Sequence, residues 1–251
     1  MLRSFLPDWQ LLLYRVPALL LTLTVHEWAH AFVANRCGDP TARFMGRMTF
    51  NPLRHLDPIG TLLMFTVGFG WAKPVPVNPR NYRNRIADDV KVSLAGIATN
   101  LALFMLLTAM LVALHGFMWR PEIVANSGGP RAFLDLYGIN FSLVFGLNID
   151  GALMQRTWLA PVVAFLTVAA QMNLMVAIFN LLPIPPLDGY HVANNLIFRG
   201  RFQITPQMAQ MGMVAVMAIS FATNILSTIM NFLATNVQGA VLGLFMLLTG
   251  N

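Results

Sequence analysis

His26, Glu27 and His30 stand together as His-Glu-Trp-Ala-His in an otherwise apolar stretch, and their types and spacing could do chemistry. On a helix, residues four apart share a face, so the two imidazoles can bind one metal ion while Glu27 sits where a water on that ion would lie. The plainer alternative is two histidines capping helix-end carbonyls with Glu27 reaching toward the interface. A catalytic zinc site needs a third protein ligand and leaves the fourth position open. Cys37 is the one cysteine of the chain, so thiolate clusters and internal disulfides are excluded, and the third ligand must be His, Asp or Glu. Asp188 is the candidate, as the one acid after Asp150, and it follows Pro183, Pro185 and Pro186. Those prolines stop a helix and can re-aim the chain inward. Asp188-Gly189 also reads as a simple turn.

The elements that must position these side chains are membrane helices. Of 251 residues, 57% are hydrophobic and 10% charged, with a mean hydropathy of +0.62. A soluble domain carries about 25% charged residues, so a cytosolic enzyme is excluded. The net charge of +6 does not indicate nucleic acid, because nine bases and four acids between Asn35 and Lys91 account for +5 of it. A basic segment flanked by apolar runs is a cytoplasmic loop under the positive-inside rule.

The apolar runs predict spans over Leu11–Val33, Val90–Trp119 and Trp158–Leu182, with a closing hairpin of Pro206–Asn224 and Ser227–Thr249. The first run is too long for a signal peptide and lacks a cleavage site after a short apolar core. The segment Arg120–Arg156 balances three bases against three acids, as expected of a loop on the opposite side. The fold class expected is therefore an all-α polytopic membrane protein with about five spanning helices and the N-terminus outside. It forms one integral-membrane domain over residues 1–251, with a core of about 10–192 and a helical hairpin of about 206–250, leaving no room for an appended soluble domain. Between Thr41 and Pro79 six-fold proline punctuation with Pro40 predicts short strands or a re-entrant segment beside the active site, and the ten-residue apolar stretch Leu62–Trp71 is too short to span. His55 and Asp57 read as loop-fixing residues, and His191 as either a partner of the metal ligands or a polar helix start.

Four ordered blocks resemble the site-2 protease family of intramembrane zinc metalloproteases. They are His26–His30, Asn51-Pro52-Leu53-Arg54-His55-Leu56-Asp57-Pro58-Ile59-Gly60-Thr61, Trp71-Ala72-Lys73-Pro74-Val75-Pro76-Val77, and Asn180 to Gly189. The resemblance runs from about His26 to His191. It implies that His26, His30 and Asp188 bind one Zn2+ per chain and that Glu27 is the general base. It also matches Gly96 and Asn100 to the family's Gly-Pro-x-x-Asn pattern, with Ile97 in place of the proline, and implies that Asn100 serves the developing oxyanion or the substrate backbone. Tyr190 stands where many relatives have a second glycine.

By that resemblance the substrate is a transmembrane segment of another membrane protein, cut within the lipid bilayer. The location is a prokaryotic inner membrane, with the active site near the cytoplasmic side and a strand edge in Thr41–Pro79 that captures unwound substrate. The rivals are a non-catalytic relative that binds membrane helices, and a metal transporter. Intact ligands speak against the first. Glu27 speaks against the second, because a transit site needs no general base and places ligands at several depths.

Overall fold

The computed structural model describes residues 9–61, 71–133, 154–202 and 205–249. Its long elements are helices: α1 (Trp9–Cys37), α3 (Arg85–Met118), α6 (Ala160–Asn180), α8 (Pro206–Ala222) and α9 (Ile225–Thr249). Shorter helices are α2 (Thr41–Phe44), α4 (Pro121–Asn126), α5 (Pro130–Phe133) and α7 (Asp188–Phe198). Among the described residues, four helices are long and apolar enough to cross a membrane: Leu12–Cys37, Arg85–Leu114, Thr157–Asn180 and Ile225–Phe245. The fifth expected span corresponds to α8, whose 17 residues rise about 25 Å and which is not among those four. The polytopic all-α class is therefore what the chain adopts, with ends shifted by a few residues.

Local chemistry sets those ends. Helix α1 closes in a Schellman turn, in which Gly38 N–H donates to Asn35 O at 3.3 Å and Asp39 N–H to Ala34 O at 2.9 Å. Gly38 has φ +109°, and a Cβ there would lie 2.9 Å from Asn81 O, so both the backbone angle and the close approach require glycine. Helix α3 begins five residues before the expected Val90, because Asn84 caps it. Asn84 Oδ1 accepts from Ala87 N–H at 3.2 Å, while Asp88 Oδ2 accepts from Asn84 N–H at 2.9 Å. It then runs unbroken past Ile97, the position where a family proline would have invited a kink.

The expected strands do not form a sheet. Among the described residues of this segment there is a single antiparallel bridge, Leu56 with Ala72, and two short 3-10 turns, Pro52–Arg54 and Pro79–Asn81. Pro74, Pro76 and Pro79 lack N–H groups, and the donors of Lys73, Val75 and Asn78 are already bonded to His55 O, Glu27 and Asp39. The apolar stretch at 62–70 and the segment at 134–153 lie outside the described residues.

Contacts divide the chain into two compact units. One comprises residues up to Leu19, Ala102–Asn173 and Leu233–Asn251. In it Val112 of α3 packs with Leu242 and Phe245 of α9, and Trp119 lies against Phe133 with ring centres 5.0 Å apart. Much of α9 is exposed, including Leu244 and Leu247, as a lipid-facing helix requires. The other unit comprises Leu20–Leu101 and Leu174–Phe232 and holds all the candidate site residues. Its core joins Ala34 and Cys37 of α1 to Tyr82 and to Val92 of α3, and Ala31 to Ala42 and Val75. Small residues on α1 allow that close approach, as between membrane helices generally.

Candidate metal centre

Helix α1 places His26 and His30 one turn apart, with Nε2 atoms 3.0 Å from each other. Helix α7 brings in the third group. Its N-terminus follows Pro185, Pro186 and Leu187, so Asp188 is its first residue, and Asp188 Oδ2 lies 3.2 Å from His26 Nε2 and 3.3 Å from His30 Nε2. The plain-turn alternative for Asp188 gives way to a helix start, which the residue types alone do not announce. Gly189 is required at this point, since a Cβ would come within 2.2 Å of Leu181 O.

These three atoms form a nearly equilateral triangle. Donors about 2.0–2.1 Å from a tetrahedral zinc ion stand about 3.3 Å apart, so the observed spacings suit one ion bound by two imidazoles and a carboxylate. Asp188 Oδ2 is also buried without a well-formed hydrogen bond, although two ring nitrogens stand close by. A buried carboxylate oxygen left without a hydrogen bond beside two ring nitrogens is accounted for by a cation shared among the three. The residues present therefore fit zinc. No other group of three metal-ligating side chains occurs among the described residues.

The surrounding atoms orient the ligands. His30 Nδ1 lies 2.7 Å from Val92 O on α3, which accepts its proton and leaves Nε2 for the ion. Asn100 is fully buried on α3, with its amide 3.2 Å from His26 Nδ1. Gly96, one turn before Asn100, is the floor beneath both rings. A Cβ there would lie 2.5 Å from His26 Cε1 and 2.5 Å from His30 Nε2.

Glu27 is buried beside the triad, and its Oε2 accepts from Val75 N–H at 2.7 Å. Val75 sits on the extended run between Trp71 and Asn78, which two other residues hold. Arg47 donates from Nη2 to Lys73 O at 2.8 Å and Pro74 O at 3.3 Å. Asp39 accepts from Asn78 N–H at 2.6 Å, from Asn81 Nδ2 at 2.8 Å, from Thr41 N–H at 3.1 Å and from the Thr41 hydroxyl. Burial pushes the Asp39 carboxyl up, and these hydrogen bonds outweigh it, holding the group below the usual carboxylate range.

The remaining candidates lie elsewhere. His55 Nε2 is 2.8 Å from Thr49 O, and Asp57 Oδ1 accepts from Gly60 N–H at 2.8 Å, so both fix their loop. His191 pairs with Asp89 at 3.5 Å, joining α7 to the N-terminal part of α3, and Asn195 donates to the same Asp89 oxygen. Sequence reasoning missed Val75 N–H and Val92 O, which are backbone groups with no residue-type signature. It also missed Asp39 and Arg47, which looked like ordinary members of a basic loop.

Comparison with known proteins places this architecture. The family model for peptidase family M50 matches residues 14–223. A Bacillus subtilis protein named "Putative zinc metalloprotease YwhC" is 37% identical over 184 residues, covering 73% of this chain and 69% of that protein. A Mycobacterium tuberculosis protein named "Putative zinc metalloprotease Rip2" is 29% identical over 179 residues, covering 68% of this chain and 67% of its own length. No solved structure gives a significant match. A family match over most of the chain, spanning the histidine pair and Asp188, is decisive: the chain belongs to peptidase family M50, the site-2 protease family of zinc metalloproteases.

Proposed function

We propose that this protein is an intramembrane endopeptidase that hydrolyses peptide bonds in or near transmembrane segments of other membrane proteins. In this reading His26, His30 and Asp188 hold the zinc, Glu27 is the general base, and Asn100 completes the site. One observation carries it: two of the three ligands, His26 and His30, stand on α1 inside a stretch long and apolar enough to span a bilayer, and Asp188 of α7 closes the triangle against them. His30 lies seven residues before the helix end at Cys37, about 10 Å by helical rise, so the site is shallow on the side of the basic loop. That supports a cytoplasmic-side active site in a prokaryotic inner membrane, with water reaching it from that side.

Zinc bound there supplies Lewis acidity to a carbonyl oxygen and lowers the pKa of water toward about 7. Glu27 does the proton work. With Oε2 held by Val75 N–H, the other oxygen, Oε1, takes the proton of the attacking water and delivers it to the departing amine nitrogen. Water oxygen joins the carbonyl carbon as the C–N bond breaks, and Glu27 ends in its starting charge state. A helical substrate hides its carbonyls in i to i+4 hydrogen bonds, so it must unwind locally before cleavage.

The test is reconstitution in vesicles with a single-span reporter protein. Cleavage within the reporter's apolar segment by the wild type but not by Glu27→Gln is expected. Cleavage confined to water-exposed reporter segments would overturn the intramembrane reading.

A further inference from the structure

Resting on the metal-centre reading above, we infer that Asn100 is the positioning residue that fixes the tautomer of His26 for ligation through Nε2. A neutral imidazole carries one proton, and ligation through Nε2 requires that proton on Nδ1, where it needs an acceptor. For His30 the acceptor is Val92 O at 2.7 Å. For His26 the group within reach is the Asn100 amide at 3.2 Å, and it presents Nδ2, a donor, toward Nδ1. The acceptor end, Oδ1, is buried and without a hydrogen-bond partner.

With Nδ2 toward Nδ1, the His26 proton would sit on Nε2, the nitrogen in the ligand triangle, which ligation requires to be free. A half-turn of the amide about its last side-chain bond exchanges the two ends at nearly constant shape. Oδ1 then accepts from Nδ1–H, and the Nε2 lone pair is released to the ion. One end of the amide lacks a protein partner in either orientation, and the half-turn exchanges one Asn100–His26 hydrogen bond for another. It converts the unpaired end from an acceptor to a donor. The cradle allows no looser solution, since Gly96 lies directly against both rings and Asn100 is fully buried.

The role needs the amide's oxygen, whereas service to an oxyanion needs its N–H. Two variants separate these. Asn100→Asp keeps an acceptor and removes the donor, and Asn100→Leu removes both. Zinc affinity, measured by competition against a chromogenic chelator in detergent-purified protein, is expected to fall about 10–100-fold in Asn100→Leu and to stay within about threefold of wild type, or tighten, in Asn100→Asp. Thermal unfolding of the zinc-free variants controls for a general loss of structure.

Wild-type affinity in a folded Asn100→Leu protein would overturn the inference, as would equal losses in the two variants. Ring 15N shifts of His26 in the zinc-loaded wild-type protein give a second reading that needs no variant. A protonated Nδ1 is expected, and a metal-bound Nδ1 would overturn the assignment. Asp188→Ala separates the metal centre from the tautomer role. If it keeps zinc at wild-type affinity, the metal-centre reading itself falls. If it loses zinc while Asn100→Leu does not, only the role of Asn100 falls.

Discussion

Glu27 and Val75 are 48 residues apart in sequence, yet the Val75 N–H donates to Glu27 Oε2 at 2.7 Å inside the protein. The proposed base is thereby held at one of its two oxygens. Hydrogen bonds to a charged group contribute about 1.5–3 kcal/mol. Val75→Pro deletes the donor at a position already flanked by Pro74 and Pro76, and Val75→Ala keeps it while removing the packing against Ala31 and Ala42. The proline variant is expected to retain zinc and lose about 10–100-fold in turnover relative to the alanine variant, read by reporter cleavage beside metal analysis. Equal activity in the two would show that the bond does not orient the base.

Glu27→Gln preserves size and polarity and abolishes the base. Zinc content should match wild type, with cleavage reduced about 10²–10⁴-fold or more. A variant that lost its zinc would place Glu27 among the ligands instead.

Gly96→Ala and Gly116→Ala form a matched pair on helix α3. At 96 the new methyl would stand 2.5 Å from both imidazoles, whereas at 116 nothing lies within 4 Å. The first should lose zinc affinity and activity together. The second should leave both intact and raise stability slightly, since alanine is favoured over glycine in a helix by up to about 1 kcal/mol. Zinc titration and thermal unfolding read both effects, and normal zinc binding by Gly96→Ala would contradict the cradle.

Asp39 gives a pH-dependent outcome. Its carboxyl is depressed in the folded protein, so the stability it contributes is fully present above the unfolded-state value of about 3.9 and is lost as pH falls through the lower folded value. Asp39→Asn is expected to destabilise by about 2–4 kcal/mol near neutrality, with the gap to wild type narrowing below about pH 4. Unfolding midpoints measured across that range would refute this if the gap were constant.

The histidine pair was legible because a helix fixes which residues share a face, and Asp188 because acids are scarce in so apolar a chain. Spans were legible because a run of about twenty apolar residues matches the thickness of a bilayer and exceeds what the core of a small soluble domain can bury. The start of α7 at Asp188 was hidden, because prolines announce where a helix ends and give no sign that another begins at once. Gly96 was matched by pattern, but its purpose beneath two rings required the crossing of α1 and α3. The contacts made by Val92 O and Val75 N–H are invisible to any reading of side-chain types. The strand expectation failed on the prolines and engaged donors of Trp71–Asn78, which give the run an extended shape and few groups to pair.

The ties made by Asp39 give the Trp71–Asn78 run a mechanical meaning. Glu27 holds the run at Val75, and Asp39, within the Schellman turn that closes the same helix, holds it at Asn78. Glu27, the proposed proton acceptor, and Asp39 thus share one frame of reference, α1 and its immediate continuation. Asp188 rides on a different helix, so a displacement of α7 that widens the ligand triangle leaves the Glu27–Val75 pair in register. Ligand spacing and the Glu27–Val75 contact thus depend on different elements of the fold.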